Sequence, residues 1–165
     1  MKSRNRIRFI THAAIIATLY VVLTYLSSLF GLASGAVQCR LSEALCVLPA
    51  FTAAGIPGLF VGCILSNMLT GSMMLDVVFG SVATLMGAAG TYYLASRGIN
   101  KYTYPLPPIV ANTIIVPLVI KYGYGSEGAL PFFFVTVGAG EIISCGILGM
   151  LLYFSLCKNA GRIFR

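Results

Sequence analysis

Apolar residues come in long runs separated by short polar stretches, and most runs reach the ~20 residues that a helix needs to cross a bilayer. The first goes from Phe9 to Phe30, with Lys2, Arg4, Arg6 and Arg8 before it. It is longer than the apolar part of a usual secretory leader, and similar runs recur to the far end of the chain, so it reads as a retained helix. The stretch from Leu41 to Thr70 would measure about 45 Å as one helix, more than the ~30 Å hydrocarbon layer. Pro49 and the run Gly55-Ile56-Pro57-Gly58 interrupt it. Two short helices are therefore expected, 41–54 and 57–70, joined by a tight turn. Further spans are expected at 73–96, at 106–122 behind Pro107-Pro108, and at 131–156. Pro117 implies a kink in the fifth of these.

Charge selects six spans over five. With six, Lys2, Arg4, Arg6, Arg8, Arg97, Lys101, Lys158, Arg162 and Arg165 share one side, and Arg40 and Lys121 the other. Fusing 41–70 into one helix would leave five on one side and six on the other. The positive-inside rule thus predicts a single transmembrane domain over 1–165, an all-α integral membrane protein of six transmembrane helices with both termini cytoplasmic.

Composition agrees. The apolar set makes up 58% of the 165 residues and charged residues only 9%, against roughly 45–50% apolar in soluble proteins even with glycine counted. A soluble domain is excluded, and the expected location is the cell membrane, as a multi-pass protein. No Gly-x-x-x-x-Gly-Lys-Ser/Thr run occurs, so the chain has no phosphate loop of its own for ATP. The net charge of +7 serves topology rather than nucleic acid, because the basic residues sit at helix ends. Cysteines 39, 46, 63, 145 and 157 lack a Cys-x-x-Cys spacing and read as packing residues, with no metal site expected. His12 reads as an interfacial residue, and Tyr102, Tyr104, Tyr122 and Tyr124 as an aromatic belt.

Small residues recur four apart: Ala13 and Ala17; Gly58, Gly62, Ser66 and Thr70; Ala83, Gly87 and Thr91; Thr136, Gly140 and Ser144. Such stripes let helices approach closely in lipid. The last three read as internal packing. The first offers a groove to another membrane protein.

The acids carry the chemistry. Glu43, Asp76 and Glu141 lie within or near the ends of spans, where an ionised side chain costs ~2.5–3.5 kcal/mol and normally marks a substrate or ion path. The competing possibility for Glu43 is a structural ion pair with Arg40, three residues away. In the six-span topology Arg40, Glu43, Asn67 and Asp76 cluster at the outer face, while Glu141 lies ~15 Å down its helix. They converge on a pocket opening outward, with Asn112 as a floor group. Three carboxylates against one arginine favour a ligand that brings donors or positive charge, such as the N–H edge of a guanine-like base. Phe79, Tyr92, Phe132 and Phe133 are candidate walls.

The runs Val37 to Leu45, Ile56 to Cys63 with Asn67, Leu75 to Leu85, Leu106 to Asn112 and Val137 to Glu141 resemble the QueT family of queuosine-precursor transporters, over about Arg40 to Glu141. The resemblance implies the substrate-binding S component of an energy-coupling factor (ECF) importer, a six-helix bundle with an outward pocket. It implies as substrates the deazaguanines, queuine or its precursors, and as partners a transmembrane coupling protein and two cytoplasmic ATPase subunits that use ATP. No cofactor belongs to this chain. Ala13 and Ala17 match the Ala-x-x-x-Ala motif with which S components dock to the coupling protein. Gly31 to Gln38 is expected to fold over the ligand. An S component for another vitamin-like substrate, and a stand-alone ion-coupled carrier or channel, stay open as alternatives. An enzyme is disfavoured, because no nucleophile-and-base pair stands out.

Overall fold

The structure is a computed structural model, and it describes residues 2–31 and 40–164. All of the expected cover loop beyond Gly31 lies outside the described residues. Among the described residues every regular element is helical. They are α1 (Lys2–Leu29), a 3₁₀ segment (Leu41–Ala50), α2 (Gly55–Leu69) and α3 (Met74–Ser96). After a short turn come α4 (Leu106–Leu118), widening into a π turn (Val119–Gly123), then α5 (Leu130–Glu141), a π segment (Ile142–Leu148) and α6 (Gly149–Cys157). The last three run on as one rod, Leu130–Cys157. A short α7 (Ala160–Ile163) closes the chain.

Among the described residues four helices are long and apolar enough to cross a membrane: Ser3–Leu29, Met74–Ser96, Lys101–Gly123 and Leu130–Cys157. The region 41–70 departs from the expected pair of α-helical spans. Its first part is a 3₁₀ helix of 10 residues, ~20 Å long at ~2.0 Å per residue. Its second starts two residues early, at Gly55, and its 15 residues measure ~22 Å. Neither alone matches the hydrocarbon thickness. Proline supplies no main-chain donor, so Pro49 removes one hydrogen bond from the first. That segment also lies at the centre of the bundle, against α1, α3, α6 and the π segment. Irregular helix at membrane depth is tolerated where protein covers it, and here Ser42, Glu43 and the run from Leu45 to Pro49 are all buried.

α1 has no glycine or proline between Lys2 and Leu29, and five of its Ser and Thr hydroxyls bond within the helix. Thr11, Thr18, Thr24, Ser27 and Ser28 each donate to the carbonyl four residues back, at 2.8–3.1 Å. Its inner face meets α2 through the small residues of both helices. A Cβ added at Gly62 would sit 2.8 Å from Tyr20 Cβ and 3.1 Å from Ala17 Cα, and one at Gly58 2.8 Å from the Ala13 carbonyl oxygen. Gly62→Ala is therefore expected to push α1 off α2 and cost ~1–3 kcal/mol, read as a lowered melting temperature in detergent. Gly161→Ala, with nothing within 4 Å of the added carbon, should leave it unchanged.

Gly71 turns the chain out of α2. At φ +70 it takes the left-handed conformation that L side chains resist, and Ser72 N–H closes back on the Asn67 carbonyl at 2.9 Å. That turn brings Asn67, at the end of α2, next to Asp76 in the first turn of α3.

Candidate functional site

Two tiers of polar residues meet in the middle of the bundle. The upper tier starts at Arg40, which precedes the 3₁₀ segment with extended backbone (φ -95, ψ 112). Its side chain therefore leaves the edge that carries Glu43 and crosses to α2 and α3. Arg40 Nη2 is 3.4 Å from Asp76 Oδ2, and Nη1 donates to Asn67 Oδ1 at 3.3 Å. Asn67 is fully buried and donates onward to the Asp76 carbonyl at 3.4 Å. Tyr124 donates to Asp76 Oδ2 at 3.3 Å while its hydroxyl accepts the Met73 N–H at 3.0 Å. Beside this group opens a cavity of about 380 Å³, lined by Thr24, Ser28, Arg40, Asp76, Tyr124 and Ser126 among others. That volume is within the range of small-molecule sites.

The lower tier holds the other two acids. Arg40 and Val116 line both the cavity and a second void of about 10 Å³ beneath it, no larger than a water. Glu43, Thr84, Asn112 and Glu141 line this void. In a 3₁₀ helix residues three apart eclipse, so Glu43 and Cys46 share one edge. Glu43 accepts from the Tyr20 hydroxyl, from Asn112 Nδ2 at 3.3 Å and from Cys46 Sγ at 2.9 Å. Glu141 ends α5 where the helix widens into its π segment, and it is buried. Cys145 Sγ lies 3.4 Å from Glu141 Oε2 and 3.3 Å from the Glu43 carbonyl oxygen. A carboxylate can accept about four hydrogen bonds; Glu43 already takes three from the protein, so Glu141, which lines the small void, keeps the greater acceptor capacity.

The acids, Arg40 and Asn112 thus gather as the sequence suggests, with Asn67 behind Arg40 and away from both voids. Several expectations change. Arg40 pairs with Asp76, not with Glu43. Phe79, Tyr92 and Phe132 face outward, 40–52% exposed, because their positions fall on the sides of α3 and α5 away from the bundle; Phe133 stacks edge-on against Phe132 and lines neither void. The cavity's aromatic is Tyr124, not a residue of the interfacial belt that its sequence position suggests. Tyr104, expected in the same belt, is buried with its ring against Tyr153. Cys46 and Cys145 do more than pack, since their sulfurs contact the acids. Tyr20 had no signal beyond its place in an apolar run. Ala13 is half-buried and Ala17 buried against α2. Ala17 still contributes to the floor of an outer groove between α1 and α2, with Ala14, Thr18, Val21 and Leu65.

Four long apolar helices around a charged, hydrogen-bonded interior define a multi-pass helical membrane protein. The profile of the family described as QueT transporter matches residues 10–158, nearly the whole chain. The chain belongs to the QueT transporter family. The Queuosine precursor transporter QueT of Lactococcus lactis subsp. cremoris (strain MG1363) is 37% identical over 73 residues, which cover 44% of this chain and 43% of that relative. The chain therefore aligns with less than half of that protein's length. No solved structure matches the chain.

Proposed function

We propose that the protein is the substrate-capture subunit of an ECF-type importer for queuosine precursors, queuine or related deazaguanines. The observation that carries this is the acid floor under the cavity: Glu43, Asn112 and Glu141 below, Arg40 and Asp76 beside. Family membership narrows the ligand, and hydrogen-bond chemistry supports it. A guanine-type edge brings two parallel N–H donors, which a carboxylate takes in a bidentate contact, and Glu141 has capacity to accept them. Arg40, Asp76, Tyr124 and the hydroxyls of Thr24 and Ser28 meet the polar substituent on the other side of the ring, while Val116 and Ile120 pack on its face.

In the membrane, six passages with both termini cytoplasmic place nine of the eleven Lys and Arg residues inside. The cavity end, with Arg40 and Tyr124, then faces out. The 3₁₀ segment need not reach the outer surface, because the cavity occupies the remaining height. Coupling to a transmembrane partner and two ATPase subunits falls to the outer side of α1, where Ala14 and Thr18 keep the helix slim while Ala13 and Ala17 turn toward α2.

Uptake of labelled queuine into proteoliposomes tests the reading. Accumulation is expected only with the coupling protein, both ATPase subunits and ATP present. Ala14→Leu with Thr18→Leu, both on the outside of α1, should abolish uptake while the isolated subunit still binds queuine. Uptake by this chain alone, driven by a proton gradient, would overturn the proposal in favour of an ion-coupled carrier. Tight binding of an unrelated vitamin and none of queuine would reassign the substrate.

A further inference from the structure

We propose that Glu43, Cys46 and Cys145 form a buried site for one thiophilic metal ion of the zinc type, below the ligand cavity. The two sulfurs and a Glu43 carboxylate oxygen all lie within 4.8 Å of one another. Zinc bonds of ~2.3 Å to sulfur and ~2.0 Å to oxygen set tetrahedral edges of ~3.8 Å between sulfurs and ~3.5 Å between sulfur and oxygen. Cys46 Sγ is 2.9 Å from Glu43 Oε2, so this edge must open by ~0.6 Å to reach the tetrahedral value. Glu141 Oε2, 3.4 Å from Cys145 Sγ, borders the site from the cavity side without belonging to the three-donor set, and a water would take the fourth position. The donors come from chain positions as much as 102 apart. The 3₁₀ segment places Cys46 over Glu43, and the π segment presents Cys145, a kind of distortion found often at functional positions.

Charge balance favours occupancy. A divalent ion entering the site displaces two thiol protons to water and forms two metal–sulfur bonds, with no electron transferred. The net charge of the buried cluster is unchanged, so no further charge has to be moved into the low-dielectric floor. The ion would tie the 3₁₀ segment to the Leu130–Cys157 rod. None of this requires the transport reading.

The test is titration of the full chain in detergent, stripped with chelator, first with Co²⁺ and then with Zn²⁺. One equivalent of Co²⁺ per chain is expected, with a thiolate-to-cobalt charge-transfer band that Zn²⁺ abolishes. Cys157→Ala, at an exposed thiol, should keep both the stoichiometry and the band, whereas Cys46→Ser and Cys145→Ser should each weaken binding at least tenfold. A wild-type protein without the thiolate band would overturn the proposal whether or not the variants fold. So would equal Co²⁺ uptake by the Cys46→Ser/Cys145→Ser double variant, or a mass two hydrogens lighter that marks the pair as a disulfide.

Discussion

Glu141→Gln is expected to abolish queuine binding while the yield and melting temperature of the purified protein stay close to wild type. Glu141 meets the Cys145 thiol and the Asn112 amide, contacts that a glutamine amide can still make, so its charge contributes little to folding. Each hydrogen bond to a charged group is worth ~1.5–3 kcal/mol. Losing a two-point contact therefore weakens binding by roughly 10²–10⁴-fold, at about 1.4 kcal/mol per decade. Glutamine also turns an N–H₂ toward the N–H edge of the ligand, which sets donor against donor. Calorimetric titration with queuine decides the matter; wild-type affinity would remove Glu141 from the site. Glu43→Gln should behave differently, lowering the melting temperature as well, since Tyr20, Asn112 and Cys46 all lean on that carboxylate.

Asp76→Leu is expected to destabilise the protein by ~3–5 kcal/mol, the usual cost of leaving one partner of a mostly buried ion pair unpaired. Among the described residues Arg40 would then keep Asn67 alone as a side-chain acceptor. Arg40→Met strands Asp76 against Tyr124 in the same way. The double variant Arg40→Met/Asp76→Leu should recover much of the loss, because two apolar side chains replace two charges. Thermal melts of all four proteins in one detergent check this. A double variant that melts at the sum of the two single shifts would mean that the pair does not act as a unit.

The spans around α1, α3, α4 and the Leu130–Cys157 rod are legible because an apolar run of that length between polar stretches has one solution in lipid. Residues 41–50 are harder. Ten residues that are apolar but for Ser42 and Glu43, with a proline near the end, carry no period that separates 3₁₀ from α, and the burial that stabilises the unusual helix is a tertiary fact. Glu43, Asp76, Asn112 and Glu141 could be picked out because polar groups are costly at such depth. Their partners could not. Arg40 is three residues from Glu43, but its extended backbone sends the guanidinium to Asp76 across the bundle. Tyr20 and Tyr124 look like any tyrosine in or beside a span, and only the meeting of α1, the 3₁₀ segment and the loop after the π turn gives them carboxylates to bond. The aromatic walls went astray for the converse reason. Flat rings in a membrane helix are as stable against acyl chains as against a ligand, so Phe79 and Phe132 contain no directional information.

α1 packs chiefly on α2 and on the 3₁₀ segment. Along that narrow seam Tyr20 bonds Glu43, Thr24 bonds Ser42 at 2.8 Å and Ser27 accepts the Leu41 N–H at 3.0 Å. The same rod shows Ala14 and Thr18 to the outside, within two turns of Tyr20. Leaning it by an ångström from the lipid side would pull the phenol off Glu43, which lines the same small void as Glu141. The periphery and the innermost carboxylate are thus joined by one stiff lever, with no chain of intermediates between them.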